Sequence, residues 1–180
     1  KAVEKIDYAT GKDIDFIICD HHRPGSEIPR ASAVLDPKRP DCTYPYEELS
    51  GCGIGYKLIQ AFAKNRNIDE KVLYKFLDLV TVSIASDIVP ITGENRVLAF
   101  YGLKLINSNP RPGIEAVLQS SGMKRVKATS PDGETQIFSR QLNINDLVFL
   151  VAPRINAAGR IESGRNSVQL LIADNMKDAQ

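Results

Sequence analysis

Ile14-Asp15-Phe16-Ile17-Ile18-Cys19-Asp20-His21-His22 is the stretch that decides how the chain is read. Residues 14 to 19 are mostly apolar and rich in β-favouring side chains, with Gly11 upstream and Pro24 and Gly25 downstream. Those are the marks of a short buried strand. Ala2, Val3, Ile6 and Ala9 fall at helical spacing before Gly11, so a helix is expected to lead into it. Asp20 and the chain's two histidines, His21 and His22, then follow at the strand's carboxyl end. In open α/β sheets ligands bind just beyond that end, where loops hold side chains on a rigid base. Imidazole binds divalent transition metals and titrates near neutrality, and a neighbouring carboxylate raises its basicity and fixes its tautomer. The tripeptide fits a hydrolytic metal site, and it also fits two loop histidines hydrogen-bonded to backbone.

Outward from this point, Ala33 to Leu35 reads as a second strand, and Pro37, Pro40 and Pro45 make residues 36 to 49 an extended loop. From Ser50 the pattern turns helical, with Ile54, Leu58, Ile59 and Phe62 recurring at three and four. Asp69 can cap a second helix whose inner face carries Val72, Leu73, Phe76, Leu77 and Val80. Asn95 to Asn107 forms a third helix, and Ile114 to Leu118 a fourth, begun after Pro112 and stopped at Gly122. Val126 to Thr129 and Thr135 to Phe138 flank Pro131-Asp132-Gly133, which predicts a hairpin. Residues 144 to 150 and 166 to 176 resume helical character, with Pro153 and Gly164 as breaks. The expected class is α/β: one layer built on a parallel sheet, followed by a helical extension, with no separate second domain having its own core.

Three further stretches carry chemistry. Asp87 follows the apolar run Val80 to Ala85. A carboxylate at the mouth of an apolar element is a hard-oxygen ligand for Mg²⁺ or Mn²⁺, or else the end or cap of a helix. Gly51-Cys52-Gly53-Ile54-Gly55 follows Pro45, Glu47 and Glu48 rather than a strand, and is spaced GxGxG. Close packing at a helix start explains it better than dinucleotide binding. In Pro153-Arg154-Ile155-Asn156-Ala157-Ala158-Gly159-Arg160 the small residues permit close approach, and arginine offers phosphate a planar fork. A tight helix contact with the arginines paired to surface acids is the alternative.

Composition and charge narrow the classes. At 43% hydrophobic and 25% charged residues the chain is an ordinary globular sequence rather than a disordered or collagen-like one. No apolar run reaches the roughly 20 residues of a membrane span, and no secretory leader is seen. Cys19, Cys42 and Cys52 form no CxxC pair, so a disulfide framework is not expected and a reducing cytoplasm is. The net charge of +1 hides a gradient: residues 1 to 90 hold 12 Lys and Arg against 14 Asp and Glu, and residues 91 to 180 hold 11 against 8. Between Arg96 and Arg165 there are ten basic and five acidic residues, enough for a face that meets phosphates, or for a solvated face of mixed charge.

Together these stretches resemble the DHH phosphoesterase superfamily, and within it the exonucleases specific for single-stranded DNA. Asp20-His21-His22 resembles the motif that names the superfamily, and Asp36-Pro37 through Tyr44-Pro45 and Leu49-Ser50-Gly51-Cys52-Gly53 resemble the loop and helix that come after it. Ser86-Asp87-Ile88-Val89-Pro90 with Gly93-Glu94-Asn95-Arg96 resembles the next motif. Pro153 to Arg160 separates the exonucleases from pyrophosphatases and small-RNA phosphatases, and residues 124 to 141 match poorly.

The resemblance implies the C-terminal part of a DHH domain over residues 1–107 and a helical extension over 108–180, leading to a further domain. It implies two Mn²⁺ or Mg²⁺ ions and phosphodiester hydrolysis by a metal-activated water. His21 and Asp87 would be metal ligands, His22 a catalytic group facing the scissile phosphate, and Asp20 its supporting carboxylate. Arg160, with Arg154, would hold phosphate of the strand. Single-stranded DNA is the implied substrate, with 5′ to 3′ digestion, repair and recombination as the setting, repair proteins as partners and no membrane. A non-catalytic nucleic-acid-binding relative, or a phosphatase acting on short oligonucleotides or cyclic dinucleotides, is the alternative. The family's upstream Asp-x-Asp motif is not found before Lys1, so a middle piece of a longer chain, silent by itself, is the expectation.

Overall fold

A helix that is apolar on nearly every side has to be buried, and α3 (Leu77–Asp87) is such a helix: Leu77, Asp78, Val80, Thr81, Val82, Ile84 and Ala85 are all buried. The computed structural model describes residues 2–130, 133–161 and 164–179, and the rest of the fold is arranged around this helix. On one side Leu77, Val80 and Ile84 join Leu49, Ile54, Leu73 and Leu98 in a first core. On the other side Val82 and Ala85 join Ile106, Ile114, Leu118, Leu147 and Val151 in a second.

Helix α1 (Ala2–Thr10) ends at Gly11, and β1 (Ile17–Cys19) pairs in parallel with β2 (Ala33–Leu35), Ile18 facing Val34. Helix α2 (Gly51–Asn65) starts where Ser50 Oγ accepts the Gly53 N–H at 3.2 Å. Asp69 caps as expected, through the Lys71 N–H, but the segment it opens is a 3₁₀ helix (Glu70–Phe76) that hands over to α3. Helices α4 (Gly93–Ser108) and α5 (Pro112–Ser120) come next, with Pro112 at the start of α5, where its missing N–H costs nothing. Strands β3 (Arg125–Ser130) and β4 (Gly133–Phe138) form an antiparallel hairpin in which Val126 faces Ile137. The expected turn residues Pro131 and Asp132 lie outside the described residues. Helix α6 (Ile144–Asp146), a π-helical turn (Leu147–Val151), α7 (Ala152–Ile161) and α8 (Gly164–Ile172) complete the chain.

Several expectations are corrected. The chain is mostly helical, and the parallel layer amounts to two three-residue strands among the described residues. The run 14 to 19 is not a buried strand throughout: Ile14, Phe16 and Ile17 are exposed, because β1 is paired along one edge only among the described residues. Val72 and Phe62, expected on inner faces, are exposed. The 3₁₀ geometry of residues 70–76 has three residues per turn, which aligns Val72 with the exposed Lys75 and away from the buried Leu73. Phe62 instead lies under the Arg66 guanidinium, 5.6 Å from its ring centroid. Pro153 does not break a helix. It lies in the first turn of α7, directly after the wider π turn, whose pitch takes up the missing N–H and the bulk of the ring.

Gly102 sets the spacing of α4 on α3. A Cβ there would overlap Thr81 Oγ1 and the Leu77 carbonyl, and the latter, being backbone, cannot swing away. Gly102→Ala is therefore expected to lose roughly 1–3 kcal/mol or more through overpacking. Urea unfolding monitored by circular dichroism checks this, and an unchanged midpoint would refute the close α3–α4 contact.

Candidate active site

The Asp20 N–H donates to the Leu35 carbonyl at 3.0 Å, so the chain leaves β1 from a point still tied to β2. Asp20 Oδ1 then accepts three hydrogen bonds: from the His21 N–H at 2.8 Å, the His22 N–H at 3.1 Å and His22 Nδ1 at 2.7 Å. A carboxylate only accepts, so Nδ1 of His22 donates this bond and Nε2 is left outside it. Burial acts to raise the Asp20 pKa. The side-chain bond from His22 and the two backbone N–H groups outweigh it and hold the carboxyl below its ordinary range.

The two histidines diverge. His22 is exposed, its side chain 77% accessible, whereas His21 is 16% accessible and turns inward onto the start of α2. There Gly51 presents no side chain: a Cβ would stand 3.5 Å from His21 Cδ2. His21 Nε2 comes within 3.6 Å of Asp87 Oδ2. Asp87 is the last residue of α3, and Ile88 after it takes a left-handed turn at φ 53°. Ser83 Oγ, one turn earlier, donates to Asp87 Oδ2 at 3.2 Å and accepts the Cys52 N–H at 3.4 Å, tying the carboxylate to the same end of α2 that supports His21.

Both donors suit a divalent ion, one a borderline nitrogen and the other a hard oxygen. Two ligands about 2.1 Å from one ion stand roughly 3.0 Å apart at a right angle and about 4.2 Å apart when opposed. The observed 3.6 Å lies between these limits, so the pair fits part of a coordination sphere. Among the described residues no cluster of three or more His, Cys, Asp or Glu side chains could hold a metal.

The loop 36–49 is fastened over the segment that comes after Asp87. The Tyr46 hydroxyl donates to the Thr92 carbonyl at 2.8 Å, and Asn95 Nδ2 donates to the carbonyls of Glu48 and Pro90. The Tyr44 hydroxyl donates to both oxygens of Glu94, which also pairs with Lys57 at 3.2 Å. Burial, and then the Glu94 bond, push the Tyr44 hydroxyl up to about 12. Tyr46 and Ser83 were not singled out from the sequence, and Tyr44, Glu94 and Asn95 stood only within motif-like stretches, with no role given to them. A tyrosine among prolines gives no sign of its partner 50 positions away, Tyr44 to Glu94. Arg154 folds back on its own helix, Nη1 donating to the Leu150 carbonyl at 2.8 Å. The Arg160 side chain lies outside the described residues. The structure thus brings together His21 with Asp87 and Asp20 with His22.

Residues 1–84 match the family model described as the DHH family, N-terminal domain. Over nearly its whole length the chain is homologous to RecJ, of which it covers only part. It is 34% identical over 179 residues to the single-stranded-DNA-specific exonuclease RecJ of Bacillus subtilis, covering 99% of this chain and 20% of that protein. To RecJ of Escherichia coli it is 32% identical, covering 97% of this chain and 30% of that one. The fold matches the crystal structure of Thermus thermophilus RecJ in complex with Mn²⁺ at a TM-score of 0.76 and 24% identity, covering 98% of this chain and 24% of that one. A crystal structure of exonuclease RecJ bound to manganese gives the same TM-score, 0.76, over 99% of this chain and 40% of that one. Among the described residues no helix is long and apolar enough to cross a membrane.

A depressed carboxyl pKa fixes the sign of the Asp20 pH dependence. The stabilisation it confers is complete above the ordinary value of 3.8 and is lost as pH falls through the lower folded value. An NMR titration of the Asp20 carboxyl should therefore show a midpoint below 3.8. A midpoint at or above that value would mean the three-bond turn does not form in solution.

Proposed function

We propose that this chain contributes His21, Asp87 and His22 to a metal-dependent phosphodiesterase of RecJ type, digesting single-stranded DNA from 5′ to 3′ in repair and recombination. One observation carries the proposal: His21 and Asp87, 87 − 21 = 66 positions apart in sequence, bring Nε2 and Oδ2 to 3.6 Å of each other. A buried-side imidazole facing a carboxylate without a direct hydrogen bond suits an ion better than an ion pair.

In this reading His21 and Asp87 hold Mn²⁺ or Mg²⁺, which supplies positive charge to phosphate oxygens and lowers the pKa of a water. Asp20 orients His22 through Nδ1, and the free Nε2 of His22 gives or takes a proton at the scissile phosphate. Arg160 pairs with phosphate of the strand, with Arg154 beside it. Residues 1–107 form the part of the DHH domain that carries the donors, and 108–180 the extension that carries these arginines. Homology to RecJ and the crystal structures of its relatives with Mn²⁺ and Mg²⁺ support the reading.

Two measurements test it. Mn²⁺ binding, read from the loss of the free-ion EPR signal, should weaken in His21→Gln and in Asp87→Asn and persist in His22→Gln. Equal binding by all three variants sinks the assignment. With two donors and no third among the described residues, the 180-residue chain is also expected to leave labelled single-stranded DNA intact in Mn²⁺. Robust metal-dependent degradation would show that a fuller site exists than these two residues provide.

A further inference from the structure

Helix α4 buries Asn95, Leu98, Ala99, Gly102 and Ile106. Its opposite side is not the polar face that a surface helix normally shows. Val97, Phe100 and Tyr101 are 56%, 58% and 54% exposed. The two rings meet edge to face with centroids 5.2 Å apart, and the Lys104 ammonium sits 5.6 Å from the centroid of Phe100. Arg96, Phe100 and Lys104 succeed one another at intervals of four, so they line one stripe of the helix, with about 12 Å of axis between the two cations.

Charge identifies what covers this stripe. From Arg96 to Asn109 the sequence contains no Asp or Glu. Among the described residues no ion pair is formed by Arg96 or Lys104, and the Lys104 ammonium rests against the Phe100 ring instead. Exposed aromatic rings bracketed by unpaired cations match a single-stranded polynucleotide, whose bases stack on π-faces while its phosphates take the charges. A duplex hides its bases and cannot use the rings in this way.

We propose that the outer face of α4 is a stacking platform for single-stranded DNA, with Phe100 and Tyr101 receiving bases and Arg96 and Lys104 the flanking phosphates. The proposal rests on single-stranded DNA being the substrate, and it adds a strand contact outside the His21–Asp87 pair. Binding of a fluorescein-labelled oligothymidylate, followed by anisotropy in EDTA, tests it apart from any metal chemistry. Phe100→Ala with Tyr101→Ala should weaken binding about tenfold or more, and Phe100→Leu with Tyr101→Leu should do the same, since leucine keeps the apolar bulk and removes the π-face. Phe100→Trp should retain binding, and Lys104→Gln should lower the salt slope by about one counterion or less. All variants should keep the parental melting temperature, because the altered side chains are exposed.

Leucine variants that bind as tightly as the unaltered chain overturn the platform and point to a protein partner on this face. An unaltered chain that does not bind, or that binds duplex equally well, overturns it too. The His21–Asp87 reading is judged separately, by Mn²⁺ binding, which Phe100→Ala with Tyr101→Ala should leave as in the unaltered chain.

Discussion

A carboxylate with no water around it must be paired, and Asp78, 2% exposed at the start of α3, is paired with Arg111. Arg111 Nε and Nη2 reach the two oxygens of Asp78 at 2.7 and 2.9 Å. The same guanidinium donates to the carbonyls of Lys75 in the 3₁₀ segment and Leu171 in α8. One side chain thereby joins the central helix, the segment before it, the start of α5 and α8. Removing either partner would strand a buried charge at a cost of about 3–5 kcal/mol. Gly113, two residues on, lets α5 lie against the backbone of Leu170 and Leu171, where a Cβ would overlap the Leu170 carbonyl. The pair can form only because the helices come this close. Since α3 carries Asp87 at its far end, the bond that seats the helix also fixes the height of the candidate site.

The different settings of the adjacent histidines come from one carboxylate. Asp20 Oδ1 gathers both backbone N–H groups and the His22 ring, which curls residues 20–22 into a tight turn. Within such a turn successive side chains cannot point the same way. His22 is held outward beside Asp20, and His21 is directed onto Gly51 and toward Asp87. The two rings still touch, 4.4 Å between centroids and tilted at 52°, so any movement of one is felt by the other. The tripeptide therefore works as a unit, and replacing Asp20 would disturb His21 as well as His22.

Local signals in the sequence were reliable where one residue determines one feature. Ser50 and Asp69 cap as their types predict, Pro112 opens α5, and Gly122 at φ 86° comes after its end. The candidate-site residues Asp20, His21, His22 and Asp87 stood out because histidine is scarce and because a carboxylate after six mostly apolar residues asks for a reason. Periodicity failed where the helix was not an α-helix, and once within α2, at Phe62. The 3₁₀ segment moved Val72 to the surface, and the π turn absorbed Pro153, which propensity alone reads as a stop. Long-range pairing was invisible in principle: Asp78 with Arg111, and Tyr44 with Glu94, are choices made by packing, since each polar group had many partners available in sequence.

The same long-range bonds explain why Asp87 can sit at a helix terminus and still be well placed. A residue at the end of a helix frays unless the chain after it is anchored. Ile88 leaves α3 in the left-handed region, which a β-branched side chain adopts at a cost, so something must hold it there. The anchors are the Tyr46 hydroxyl on the Thr92 carbonyl and the Asn95 amide shared between the carbonyls of Glu48 and Pro90. Gly93, itself at φ 46°, leaves the space in which the Tyr46 ring lies. The proline-rich loop and the turn after α3 therefore lock each other, and the loop beyond β2 holds in register the carboxylate facing the histidine beyond β1. Placement of Asp87 against His21 is a property of this clasp as much as of either residue.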